Sequence, residues 1–315
     1  MQNQNLRGII SIIAINNVMN TSHRQGRLID MFKKCIAAIL IIASLPALLP
    51  LKATGDFDIG KYPHYLKEND ARYHAFRTQN PALQYDMVIA YVNANVDIGF
   101  YNEIVTVQDP KSITVLVNKN FNLPDRFVPD DMKNVEGGHK LRTEAAEHYL
   151  KMKADIFAAG FKIYIISSYR SYQTQAGKHS NAVINGGLTY ADSQYARPGH
   201  SEHQTGLAVD VAQRTNFSYM TQAQFEETPE YQWLTMNAYK YGFILRYPKE
   251  YENIHGFIYE PWHWRYVGVD VATAMYNDGI VMFEEYYGWF LAPGVQEKNA
   301  NEEFTHTRND GNTTK

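Results

Sequence analysis

The chain has 315 residues, of which 45% are hydrophobic and 20% charged, with a formal net charge of −3. That balance describes a globular fold rather than a disordered chain, and beyond Lys33-Lys34 it offers no basic footprint for nucleic acid. The single cysteine, Cys35, excludes a disulfide framework and a cysteine-based metal site.

In chain order, Met31 opens the stretch MFKKCIAAIL, and Lys33-Lys34 precede an uncharged apolar run from Cys35 to Leu51. Basic residues followed by an apolar stretch mark a signal peptide or a membrane anchor. The run carries Pro46 and Pro50 and is shorter than the ~20 residues of a straight spanning helix. A buried core helix is the plainer alternative, against which the lysines and prolines weigh. Export is therefore the expectation, with residues 1–54 as an N-terminal tail with signal peptide or membrane anchor and the working part outside the cytoplasm.

Residues 55–111 read as a small N-terminal helical and linker region, with a helix around Pro81 to Val96. Ser112 to Lys119 reads as a strand and Asn122 to Met132 as a proline-punctuated loop. From Thr143, the spacing of Ala146, Tyr149, Leu150, Lys153, Ile156 and Phe157 predicts a helix that Gly160 stops. Phe161 to Arg170 then reads as a β-branched strand. A second helix is expected from the N-cap Thr228 and first-turn Pro229 to Gly242. Phe243 to Tyr247 and Trp262 to Gly268 read as strands, and Asp270 to Tyr276 as a last helix. The polar residues 293–315 are expected to be disordered, leaving 112–292 as the main domain. Helices and strands mix without strict βαβ alternation, which predicts an α+β fold with an antiparallel sheet.

The stretch HSEHQTGLAVDV, residues 200 to 211, raises a physical question: a strand of Leu, Ala and Val carries a carboxylate at Asp210. A buried carboxylate is costly unless paired, hydrogen-bonded or bound to a metal. Catalytic zinc sites take three protein ligands from His, Asp and Glu and keep a position open. His203 and Asp210 supply two candidates, and Gly206 lets the backbone bend between them. On an alternating strand Asp210 shares a face with Ala208, opposite Leu207, Val209 and Val211. A third ligand is offered by YEPWHWRYVG, where His263 follows Glu260 by three residues. Strict alternation would send these two side chains to opposite faces, but Pro261 breaks the regularity. Glu260 is then placed to act as general base and proton donor, and Arg170 offers a positive fork for an oxyanion or a substrate carboxylate. Together these groups describe amide hydrolysis without a nucleophilic side chain. Singly, each has a plainer role: a structural histidine, a carboxylate accepting backbone hydrogen bonds, an arginine paired with a surface acid. His200 and His255 are set aside as ligands, with His255 a candidate for lining a groove.

SEHQTGLAVD resembles the Ser-x-His-x-x-Gly-x-Ala-x-Asp signature, and EPWHWRYVG the Glu-x-x-His signature, of the VanY-type D-alanyl-D-alanine carboxypeptidases. SSYRSYQTQ, Ser167 to Gln175, is similar to the arginine segment of that family. The resemblance spans roughly residues 112 to 290. It implies a zinc peptidase whose fold is shared with LdcB-type L,D-carboxypeptidases and hedgehog domains: an antiparallel sheet flanked by helices, with a zinc site in a cleft. Zn²⁺ would sit on His203, Asp210 and His263, with Glu260 as base and Arg170 on the oxyanion. Ser201 and Gln175 would contact substrate. The implied substrate is a peptidoglycan stem peptide at the cell envelope, losing its terminal D-alanine. An L,D-carboxypeptidase, a peptidoglycan endopeptidase and a zinc-stabilised binding module remain alternatives.

Overall fold

The computed structural model describes residues 59–213 and 222–299. The expected signal or anchor, and residues 300–315 of the polar tail, lie outside them. Among the described residues no helix is long and apolar enough to cross a membrane.

Two short helices come first, α1 (Asp70–Gln79) and α2 (Tyr85–Asn93), the latter inside the stretch expected to be helical. Val88, Ile89 and Val92 of α2 bury against Tyr73 of α1 and Ile59. β1 (Val105–Thr106) and β2 (Phe121–Asn122) form a minimal parallel pair. Between them, the strand expected over 112–119 is absent. Val115, Leu116 and Val117 are buried as a strand's would be, but side chains rather than a neighbouring strand take up the backbone. Arg265 Nη2 donates to Ile113 O (3.0 Å) and Val115 O (2.8 Å), and the His200 ring bonds Asn118 O (2.8 Å).

β3 (Met132–Asn134) and β4 (Lys140–Arg142) form an antiparallel hairpin that leads into α3 (Thr143–Ala158). The buried face of α3 is Ala145, Ala146, Tyr149, Met152 and Ile156, with Gly160 at φ 91° just beyond its end. Leu150 and Phe157, assigned to that face by spacing, are exposed instead. The strand expected over 161–170 forms only as β5 (Tyr164–Ser167). It is followed by a long helix not anticipated from sequence, α4 (Tyr172–Gln194), capped by Ser171 and kinked at Gly187.

β6 (Ala208–Ala212) comes next, then α5 (Gln222–Glu226) and α6 (Pro229–Asn237). As expected, Thr228 caps α6 by accepting from Tyr231 N, and a 3-10 turn carries the chain on to Gly242. β7 (Phe243–Leu245), α7 (Glu252–His255), β8 (His263–Tyr266), α8 (Val269–Asp278) and α9 (Phe283–Tyr286) complete the order. The central sheet runs β5-β6-β8-β7 with every pair antiparallel, so the fold is α+β.

One face of this sheet makes the main core. Val209, Val211, Trp264 and Tyr266 pack there with Tyr149, Met152 and Ile156 of α3, each buried side chain of this size contributing about 1.5–3 kcal/mol. The other face of β6 and β8 carries Asp210 and His263. Just after α9, Gly288 lies so close to α2 that an added Cβ would clash with Ala90 O. Residues 293–299 are helical and bury Val295 against Leu66 and Ala292, which corrects the expected disorder over that stretch.

Candidate metal centre and active-site cleft

The register of the sheet brings the first two groups together: Asp210 on β6 is the direct cross-strand partner of His263 on β8. A bulge in β5 sets Ser167 opposite Asp210 on its other side. His203 comes from the 3-10 turn Glu202–Thr205, which ends on Gly206 in the left-handed region (φ 70°). The positive φ favours glycine at this position, and an added Cβ would press on the Met132 side chain, 2.9 Å from its Sδ.

His203, Asp210 and His263 are all buried, and one ligand atom from each lies within 4.8 Å of the others. His203 Nε2 is 3.2 Å from Asp210 Oδ2 and His263 Nδ1 is 2.9 Å from Asp210 Oδ1. The rest of each imidazole is fixed from behind. His203 Nδ1 faces Ser168 O (2.8 Å) and His263 Nε2 faces Glu202 Oε2 (3.2 Å), which leaves His203 Nε2 and His263 Nδ1 turned toward Asp210. Asp210 Oδ1 is buried with no hydrogen bond directed at it. Two lone-pair donors and a carboxylate converging on one point, with an orphaned oxygen among them, fit a divalent cation. The N₂O set suits zinc and neighbouring transition metals.

Among the protein groups themselves, burial pushes the His203 pKa down to about 4. Burial also works against charging His263, but the Asp210 and Glu202 carboxylates outweigh it and raise that ring to about 9. Burial opposes the charge of Asp210 as well, and the two histidines still hold its carboxyl well below the usual range. Glu260 Oε2 stands 3.7 Å from His263 Nδ1. The break at Pro261 allows this, since His263 N bonds back to Glu260 O (3.0 Å) in a turn before β8 begins. Burial raises Glu260 to about 8.

Arg170 leaves the end of β5, where its backbone N–H donates to His203 O (3.1 Å). Its guanidinium donates to Gln175 Oε1 (2.7 Å) and Ser167 Oγ (2.9 Å), and burial lowers its pKa despite the facing Asp210 and Glu260. Gln175 in turn donates to Ala196 O (2.6 Å), so both ends of its amide are engaged. Arg170, Gln175, Ser201, His203, Asp210, Glu260 and His263 all line one cleft of about 620 Å³.

A family model described as VanY, D-alanyl-D-alanine carboxypeptidase, matches residues 138–269, which contain every one of these residues. YodJ of Bacillus subtilis, named as a carboxypeptidase, is 37% identical over 219 residues, covering 67% of this chain and 78% of the relative. The chain belongs to the VanY family. The bifunctional D-Ala-D-Ala dipeptidase and carboxypeptidase VanXYC of Enterococcus gallinarum is 31% identical over 193 residues, covering 58% of this chain and 96% of that one. The solved structure of the LdcB LD-carboxypeptidase superposes with a TM-score of 0.54 at 38% identity, over 58% of this chain and 89% of that chain.

Within this VanY-family site, several residues escaped sequence reasoning. His139 and Lys178 also line the cleft, and the Tyr247 ring packs 4.8 Å from that of His263. Glu202 was passed over inside the quoted motif, although its place beside His203 was the signal available. His200 and His255 stand apart from the metal group. His200 bonds Asn118 O, and His255 is buried against Pro248 O (3.1 Å), away from the main cleft it was a candidate to line.

Proposed function

We propose that this protein is a zinc-dependent D-alanyl-D-alanine carboxypeptidase that trims the terminal D-alanine from peptidoglycan stem peptides, acting outside the cytoplasm. The observation that carries the reading is the convergence of His203, Asp210 and His263 beside Glu260 in one cleft. His203 through Nε2, His263 through Nδ1 and Asp210 would hold the ion. Bound there, zinc supplies Lewis acidity toward water and toward the scissile carbonyl.

The protein's own groups do the rest. Glu260 takes a proton from the attacking water and returns it to the departing amine of D-alanine. Its carboxylate, buried 3.7 Å from His263 at the edge of the ligand group, is placed for both halves of that transfer. Arg170, steadied by Gln175 and Ser167, presents a fixed charge to the oxyanion that develops on the carbonyl. Ser201 contacts the peptide from the cleft lining, and Gln175, its amide engaged at both ends, serves it through Arg170. A purely structural zinc site needs neither a base nor an oxyanion partner, which favours an enzyme over a binding module.

The similarity to LdcB supports a second reading, an L,D-carboxypeptidase acting on tetrapeptide stems. The full chain, loaded with zinc, is given stem peptides ending in D-Ala-D-Ala or in L-Lys-D-Ala, and D-alanine release is followed with and without chelator. Chelator-sensitive release from the first peptide alone is the expected result. Release from the second alone establishes the L,D reading. No release from either, with zinc bound, overturns both and leaves an endopeptidase or a binding module.

A further inference from the structure

Glu202 is buried, yet no step of the proposed hydrolysis uses it. Its Oε1 accepts from Arg246 Nε (2.8 Å) and from Arg265 Nη1 (2.8 Å), while its Oε2 faces His263 Nε2. Arg246 continues as a two-pronged pair to Glu284 on α9, at 2.9 and 2.7 Å. Glu284 Oε1 is met by Asn118 Nδ2 (3.1 Å) as well. The remaining donors of Arg265 go to the carbonyls of Ile113, Val115 and Tyr266.

The charges of this group, two glutamates and two arginines, sum to zero, all of them buried. Buried ion networks of this kind seldom add net stability over an apolar core of the same volume, so a stabilising role alone does not account for it. The backbone carbonyl of Ser168 fixes His203 with a neutral acceptor, which any strand end could offer. A carboxylate behind His263 is a different partner. It holds the proton on Nε2, turns Nδ1 toward Asp210, and makes the ring a stronger donor. A carboxylate can be kept ionised there only if it is neutralised, and Arg246 and Arg265 do that; Glu284 in turn fixes Arg246.

We propose that Glu202, held by Arg246 and Arg265 and, through Arg246, by Glu284, is the positioning residue that sets the tautomer and orientation of His263 as a metal ligand. The inference rests on the metal site proposed above, but not on the identity of the substrate.

The test measures zinc affinity by chelator competition and the visible spectrum of the cobalt-substituted protein, neither of which depends on turnover. Glu202→Asp keeps the charge and withdraws the carboxylate by one methylene. It is expected to weaken zinc by about 10- to 100-fold and to shift the cobalt bands. Parental affinity and an unchanged spectrum in that variant overturn the proposal. Should the variant fail to fold, the parent protein decides: histidine ¹⁵N spectra of the zinc-loaded form are expected to place the His263 proton on Nε2, and a proton on Nδ1 overturns the assignment. Failure of the parent to bind zinc sinks this inference and the metal reading together. Zinc binding that depends on Glu202 without release of D-alanine sinks only the proposed substrate.

Discussion

At the scale of single residues, the roles proposed for Glu260 and for the three candidate ligands separate cleanly. Glu260 stands 3.7 Å from His263 but completes no group of ligand atoms with it. Glu260→Gln is therefore expected to keep zinc and fold and to lose about 10²- to 10⁴-fold in kcat, the range for a general acid–base group. Parental turnover would show that another residue is the base. His203→Ala and Asp210→Ala should instead lose zinc and activity together, read by elemental analysis of the purified variants. These residues were legible in the sequence because a charged group inside an apolar strand needs a partner. For Glu202 the sequence offers only its place beside His203: its carboxylate reaches Arg246, Arg265 and His263, and no spacing rule links residues so far apart in the chain.

At the scale of elements, apolar periodicity located α2, α3, β6, β7, β8 and α8, and turn chemistry fixed the start of α6 at Thr228. It missed α4, whose buried residues are Gln175, His179, Ala182 and Ala191, too polar to draw an apolar stripe. That helix is held by contacts the sequence does not advertise. The His179 ring meets Asp192 Oδ1 (2.9 Å) within α4, and Arg197 beyond its end grips the same carboxylate. At 112–119 the error ran the other way, because an apolar segment looks like a strand whether its backbone pairs with a strand or with Arg265. Element α9 carries a pH-dependent weakness. Burial, with Asp86 nearby, raises Glu285 to about 7. Below about pH 4.5 the group is protonated in folded and unfolded chains alike. As pH rises to about 7 the unfolded chain ionises first, and stability falls. Glu285→Gln should remove that loss: thermal midpoints at pH 5 and pH 8 should differ less in the variant, and the variant should be the more stable at pH 8. An equal decline in both proteins would exclude Glu285 as the source.

At the scale of the whole molecule, the candidate metal site ties distant parts of the chain together. The three residues proposed as ligands come from β6, β8 and the turn before β6. The network behind His263 reaches 112–119 through Arg265 and Asn118, and α9 through Glu284. Asn93 at the end of α2 donates to Gly288 O (3.0 Å), joining that helix to the turn that follows α9. Metal binding should therefore be read in global unfolding. Zinc at a hundred times its Kd is expected to stabilise the fold by about 2.7 kcal/mol, seen as a rise in Tm that excess chelator reverses. A midpoint indifferent to both additions would mean that the folded and unfolded chains bind zinc equally or not at all.

The sequence alone determined the chemistry available: two histidines, an aspartate and a glutamate in two short motifs, an arginine at a strand end, and an α+β pattern to carry them. These are local properties, set by side-chain type and by periods of two or 3.6 residues. Only the tertiary structure decided that Asp210 and His263 face each other, because register belongs to a pair of strands and not to either one. It alone decided which nitrogen of each imidazole points inward, since that depends on Ser168 O and on Glu202, groups that only folding brings into place.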